Sequence, residues 1–140
     1  MTITMFKAKL HRLRVTEADL YYEGSITVDR ELLEVSGILP YEKVQVVNVN
    51  NGTRLETYTI PGEAGSRTVK LNGPAARLAA RDDEVIVISY ADMEPEEARR
   101  HRPRVVLVDE NNDPTDVLDL EMTDHAPELA ADLPDDLLTA

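Results

Sequence analysis

Residues 16–29 read TEADLYYEGSITVD, and the organisation of the chain follows from how this stretch breaks. Leu20, Tyr21 and Tyr22 precede the Gly24-Ser25 pair, and the β-branched run Ile26-Thr27-Val28 follows it. Aromatic and β-branched residues favour extended backbone while Gly-Ser favours a turn, which places Gly24-Ser25 at a break between two extended segments. Upstream, Thr4 to Val15 alternates loosely, with Met5, Phe6, Leu10, Leu13 and Val15 among cations, and predicts a strand. Downstream, Asp29 is placed to cap a short helix over Arg30 to Val35, with Leu32 and Leu33 inward and Gly37 as the stop.

Further on, Lys43 to Val49 and Arg54 to Ile60 are two strand-like runs joined by Asn50-Asn51-Gly52-Thr53. Asn-Gly tolerates positive φ at both positions, so this is a β-hairpin. Arg67 to Leu71 predicts another short strand, and Asn72-Gly73-Pro74 opens a helix through Ala80. Glu84 to Tyr90 (EVIVISY) reads as a buried strand, Pro95 to Arg100 as a turn of helix and Arg104 to Val108 as a last strand. About seven short strands with two or three brief helices, too closely spaced for βαβ crossovers, predict a mainly β fold, a small barrel.

The net charge of −12 is unevenly distributed. Residues 1–108 hold 16 acids against all 15 Lys and Arg, a balance of −1, whereas residues 109–140 hold 11 acids and no cation. A near-neutral body has no basic face to release counterions from nucleic acid, which argues against nucleic-acid binding. From Asp109 onward, negative charge, three Pro and no aromatics predict disorder, and residues 115–140 are assigned to an acidic tail beyond a barrel domain of residues 1–114. Zero Cys excludes disulfides and thiolate chemistry, three scattered His offer little to a metal, and the N-terminal MTITMFKAKLHRLRV lacks an apolar core. A soluble cytoplasmic protein, with no membrane segment and no metal, is the expectation.

A lone Gly-Ser is an ordinary turn. Weight comes from a wider set: Lys9-Leu10-His11-Arg12, Ala18 through Ser25, Asn51-Gly52-Thr53-Arg54, Thr57-Tyr58, Gly65-Ser66-Arg67, Asn72 through Ala76 and Glu96-Glu97-Ala98-Arg99. In that order and at those spacings the chain resembles the bacterial, pyruvoyl-dependent aspartate 1-decarboxylase family from about Met5 to Val108. The resemblance implies a double-psi β-barrel assembled as a homotetramer. It also implies autocatalytic cleavage between Gly24 and Ser25, giving fragments 1–24 and 25–140, with Ser25 becoming a covalent pyruvoyl group that forms a Schiff base with substrate. The reaction implied is decarboxylation of L-aspartate to β-alanine and CO2 for pantothenate and coenzyme A synthesis; a maturation factor for cleavage is left open.

Chemistry explains the residue types. Decarboxylating an α-amino acid leaves a carbanion that no ordinary side chain can delocalise, so an electron sink is required. Gly24 offers an unhindered carbonyl to the attacking serine and a backbone able to carry strain. By resemblance, Thr57 steadies the cyclic intermediate and later contacts substrate, and Tyr58 is the proton donor, a role suited to a phenol protonated at neutral pH. Arg54 and Lys9 are candidates for the substrate's two carboxylates, the guanidinium through paired hydrogen bonds and the ammonium as a point charge. Asn72, Gly73, Pro74 and Ala75 match the substrate-binding loop, where Pro74 has no N–H and Gly73 and Ala75 must donate.

One geometric difficulty is visible. In a regular strand Arg54, Glu56 and Tyr58 share a face and Thr57 points away, so Thr57 and Tyr58 meet at one centre only through a bulge or between subunits. Competing readings are a serine hydrolase using Ser25, His11 and Asp19, which lacks a Gly-x-Ser-x-Gly elbow, and a non-catalytic β-barrel serving as a binding or assembly module. A third keeps the chemistry and changes the substrate, for example to glutamate.

Overall fold

A computed structural model describes residues 1–125. The disorder expected of residues 126–140 falls outside the described residues. In chain order the elements are β1 (Ile3–Arg14), β2 (Glu17–Asp19), β3 (Ser25–Asp29), α1 (Arg30–Ser36), β4 (Lys43–Asn48), β5 (Arg54–Gly62) and β6 (Val69–Asn72). A 3₁₀ turn (Gly73–Arg77), β7 (Glu84–Met93), α2 (Pro95–Arg100), β8 (Arg104–Val108), β9 (Pro114–Asp119) and a second 3₁₀ turn (Met122–Asp124) follow. Among the described residues no helix is long and apolar enough to cross a membrane.

The strands form one mixed sheet ordered β2-β6-β3-β5-β4-β7-β1-β8-β9. Its closure comes from a single extended run. β1 pairs antiparallel with β7; then Val15 N–H donates to Asp83 O and Thr16 N–H to Val69 O, both at 2.8 Å, and β2 continues parallel to β6. Because β1 and β2 are consecutive in the chain yet lie far apart in the sheet order, the sheet curls round on itself. The small, mainly β barrel expected from the sequence is what forms.

Alternation fills the interior. Ile26 and Val28, Val44 and Val46, Val69 and Leu71, Val85 and Val87, and Val106 all point into one core and are fully buried. Each such side chain contributes about 1.5–3 kcal/mol by leaving water. Leu10 and Leu13 are three apart and both fully buried, which a strict alternation forbids. A register shift between them, with Arg12 at φ 64°, supplies the extra residue. α1 forms as the sequence predicts: the Asp29 carboxylate accepts Glu31 N–H, Leu32 and Leu33 are buried, and Gly37 ends the helix at φ 76°.

Two expectations are corrected. The helix expected from Asn72 to Ala80 is only the 3₁₀ turn Gly73–Arg77. Asn72 caps nothing because its side chain is engaged elsewhere, Gly73 sits at φ 64°, and Leu78 O accepts Asn48 Nδ2, Asn51 Nδ2 and Thr53 Oγ1 in place of a helical N–H. The second correction concerns the tail. Residues 114–119 form β9, antiparallel to β8, with Asp119 bonded to Arg104 at 3.0 Å and Leu120 N–H donating to Pro103 O at 2.8 Å. β9 is exposed along its length. It is held by ladder hydrogen bonds and ion pairs, which an argument from buriable apolar surface does not count.

Candidate active site

Ser25 opens β3 and Asn72 closes β6, and the antiparallel register sets them opposite each other. Paired residues in a ladder share a face, so both side chains lie on the same side, and both are fully buried. Asn72 Nδ2 donates to Ser25 Oγ at 2.8 Å and to Thr27 Oγ1 at 2.9 Å, while Ser25 Oγ donates weakly to Glu23 O at 3.4 Å. Asn72 Oδ1 is buried with no partner among the described residues. A buried acceptor left unpaired costs about 1–3 kcal/mol, the kind of cost found where a group is kept for chemistry.

The backbone before Ser25 rests on the loop after Asn72. Gly73 sits at φ 64°, and a Cβ there would stand 2.9 Å from Gly24 N, Gly24 Cα and Tyr22 O. Gly24 itself is different: a Cβ would meet Pro74 Cδ at an ordinary 3.7 Å, and its φ is not left-handed. Backbone strain of that kind, expected at Gly24, therefore falls at Gly73. Asp19 shapes the turn leading in, accepting Tyr21 N–H at 3.0 Å. Lys70 Nζ lies 4.6 Å over the Tyr22 ring and 3.7 Å from Asp19.

On β5 the pairing with β4 runs unbroken from Arg54 to Tyr58. No bulge occurs there, so Thr57 turns inward and half-buried while Tyr58 is 37% exposed on the other face. β3 runs parallel to β5 from the Ile26–Thr59 pair onward. Tyr58 and Thr57 are the two β5 residues just before that first pair, at the end of the ladder where Ser25 enters β3.

The profile of the family described as Aspartate decarboxylase matches residues 1–115. The chain belongs to the aspartate decarboxylase family. It is 70% identical to an aspartate 1-decarboxylase of Salinibacter ruber over 141 residues, covering 100% of this chain and 97% of that protein. It is 58% identical to one of Chloroherpeton thalassium over 120 residues, 86% of this chain and 88% of that protein. With one of Carboxydothermus hydrogenoformans it shares 63% over 112 residues, 80% and 88% of the two chains.

Set against the family resemblance, one chain assembles only part of the expected site. Gly24, Ser25, Asn72, Gly73 and Pro74 come together, while Thr57 and Tyr58 pair with Val44 and Lys43 of β4, just before the β3–β5 ladder begins. Lys9 does not join them. It lies on β1, four strands from β3 in the sheet order, with Nζ 5.7 Å over the Phe6 ring, in a hollow shared with His101 and Met122. Arg54 stands at the start of β5, where Nη1 donates to Gln45 Oε1 at 2.5 Å. Neither His11 nor Asp19 contacts Ser25 Oγ, whose partners are Asn72 and Glu23. Burial first, then the charges of Lys9 and Arg12, hold the His11 pKa below its ordinary value.

Sequence reasoning overlooked Thr27, Gln45 and Tyr90. Thr27 was findable, since it lies two residues past Ser25 and so on the same strand face. Gln45 was findable too, because the Asn-Gly hairpin fixes a register that places it diagonal to Arg54. Tyr90 needs the β4–β7 pairing, which no local signal sets.

Proposed function

We propose that the chain cleaves itself between Gly24 and Ser25 and then decarboxylates L-aspartate to β-alanine and CO2, serving pantothenate and coenzyme A synthesis. The observation that carries this reading is the buried Ser25 Oγ, held 2.8 Å from Asn72 Nδ2 beside a Gly24 backbone seated on Gly73. In the processing step Ser25 Oγ attacks the Gly24 carbonyl carbon, the peptide C–N bond breaks with a proton passing to nitrogen, and an ester joins the two segments. Loss of the residue 25 Cα proton expels the Gly24 carboxylate and leaves dehydroalanine. Water then releases ammonia, leaving fragment 1–24 and a pyruvoyl-headed fragment 25–140.

The residues present fit such a group. Asn72 supplies a donor and a spare acceptor at residue 25, and the missing Cβ of Gly73 keeps the backbone around it close. The pyruvoyl group supplies the conjugated carbonyl that takes up the electrons left by the departing carboxylate. Thr57 steadies the cyclic intermediate and later touches substrate. Tyr58 returns a proton to carbon. Arg54 and Lys9 hold carboxylates, and Asn72, Gly73, Pro74 and Ala75 line the substrate loop.

The working assembly is a cytoplasmic homotetramer with sites completed between copies. Supporting this, Thr57 and Tyr58 sit on opposite faces of an unbulged strand, and Lys9 stands apart from Ser25 within one chain. The test is intact mass of the purified chain before and after borohydride with L-aspartate present, beside Ser25→Ala. Fragments meeting at residue 25 and a borohydride adduct on the larger one are expected from wild type alone. Cleavage without an added protein would show that no maturation factor is needed, and L-glutamate run in parallel reports substrate strictness. An aged wild-type chain still intact at residue 24 would favour a non-catalytic binding or assembly module.

A further inference from the structure

On the face of β4, β5 and β7 that turns away from the core, one neutral oxygen joins two side chains from different strands. Gln45 Oε1 accepts Arg54 Nη1 at 2.5 Å and Tyr90 Oη at 2.9 Å. Gln45 is half-buried at the middle of β4 and paired in the ladder on both sides, to Glu56 of β5 and Ile88 of β7, so its backbone is fixed. A guanidinium on the first residue of a strand, after a turn, otherwise swings through many rotamers. We propose that Gln45, itself locked by Tyr90, is the positioning residue that aims the Arg54 guanidinium at a substrate carboxylate. The proposal rests on Arg54 being a carboxylate ligand, as argued above.

Charge decides why an amide suits this place. A guanidinium has five N–H donors in a plane, so one bond to Gln45 fixes that plane and leaves other donors for a two-pronged grip on a carboxylate. A carboxylate at residue 45 would fix the plane equally well but would neutralise the cation and compete with the substrate. Nearby acid is already spoken for: Glu56, two residues along the same face of β5, pairs with Lys43 Nζ at 3.3 Å. Arg54 is thus oriented by a neutral acceptor while its charge stays available.

The experiment compares full-length Gln45→Met, Gln45→Glu, Tyr90→Phe and Arg54→Lys, each checked for cleavage at residue 24 before kinetics with L-aspartate. Gln45→Met keeps the side-chain length and removes the acceptor. It is expected to cleave normally and to raise KM about tenfold with kcat changed less than about twofold, the mark of lost substrate binding. Gln45→Glu is expected to raise KM at least as far, and Tyr90→Phe less, in the same direction. Adding Gln45→Met to Arg54→Lys should cost nothing further, because Gln45 acts only through Arg54. Wild-type KM in Gln45→Met and Tyr90→Phe beside a crippled Arg54→Lys would overturn the positioning role alone. Wild-type kinetics in Arg54→Lys would overturn the assignment of Arg54, and with it this proposal.

Discussion

The Gly73 Cα rests on the backbone of Gly24: a β-carbon at residue 73 would lie 2.9 Å from both the nitrogen and the Cα of residue 24. Both sides of that contact are backbone, so neither can yield as a flexible side chain would. Gly73→Ala is therefore expected to lose stability through its left-handed backbone, about 1–2 kcal/mol, and further by displacing residues 22–24. Gly37→Ala is the control, since Gly37 has a similar φ of 76° and open space around it. Urea unfolding together with a time course of fragment release separates the two. Slow cleavage is expected only in Gly73→Ala; equal stability losses with normal cleavage in both would mean that the contact does not set the junction.

That pairing shows where sequence reading stopped. Gly73 was visible as part of a loop motif, but its contact with Gly24 joins β6 to the start of β3 and depends on register between distant segments. Local signals fared better: Asp29 and Gly37 bracket α1, and Asn51-Gly52 joins β4 to β5. Leu10 and Leu13 break alternation because of a bulge that composition does not announce. β9 was missed because its residues bury little, and Asn112 because a single Asn in an acidic run carries no pattern.

Asn112 lies in the stretch from Asp109 onward whose composition predicts disorder, yet it is buried at φ 63°. Its Oδ1 accepts Arg14 N–H at 2.7 Å, and its Nδ2 donates to Arg14 O at 2.9 Å and Arg67 O at 3.1 Å, tying β1 to the chain entering β6. Asp113 adds a 2.7 Å bond to Arg67. A chain ending at Asp113 is expected to fold and cleave with modestly lower stability, because it loses β9 but keeps these ties. A chain ending at Val108 is expected to fail, and Asn112→Ala to cost about 2–3 kcal/mol by stranding buried backbone groups. Thermal melts and gel filtration of the three decide; a chain ending at Asp113 that does not fold would make the β8–β9 ladder essential.

Asp29 predicts an acid limit to stability. Its carboxylate is fully buried and accepts four bonds, from the N–H groups of Glu31, Gly65 and Arg67 and from Arg67 Nη1. Burial pushes its pKa up, but the Arg67 and Glu31 N–H groups, the Arg67 guanidinium and the Gly65 N–H together hold it below the ordinary carboxylate value. A depressed folded-state pKa means stability that is fully present above the unfolded pKa and is lost as pH falls through the folded one. Wild type should weaken below about pH 4, whereas Asp29→Asn should start about 3 kcal/mol less stable at neutral pH and fall less steeply. Asp83, also lowered by the Ala80 N–H and by Asn48, is common to both chains and cancels in the comparison. Parallel urea-unfolding curves across pH would take Asp29 out of the acid limit.

The last prediction concerns which copies build a site. Ser25 and Asn72 sit on β3 and β6, while Arg54 at the start of β5 bonds to Gln45 of β4 and Lys9 lies on β1, so the processing group and the carboxylate ligands occupy different parts of one barrel. If each site takes Ser25 from one copy and Arg54 from a neighbour, two crippled chains can rescue each other. Ser25→Ala cannot cleave and Arg54→Lys cleaves but turns over poorly, so neither is expected to be active alone. Co-expressed in equal amounts under different tags and purified through both, they should regain activity at about a quarter of the sites, the random chance that an intact Ser25 meets an intact Arg54. Mixing the two after separate purification should restore nothing unless the tetramer exchanges copies. No activity in doubly tagged tetramers, with cleavage of the Arg54→Lys copies intact, would show that each site is built within a single chain.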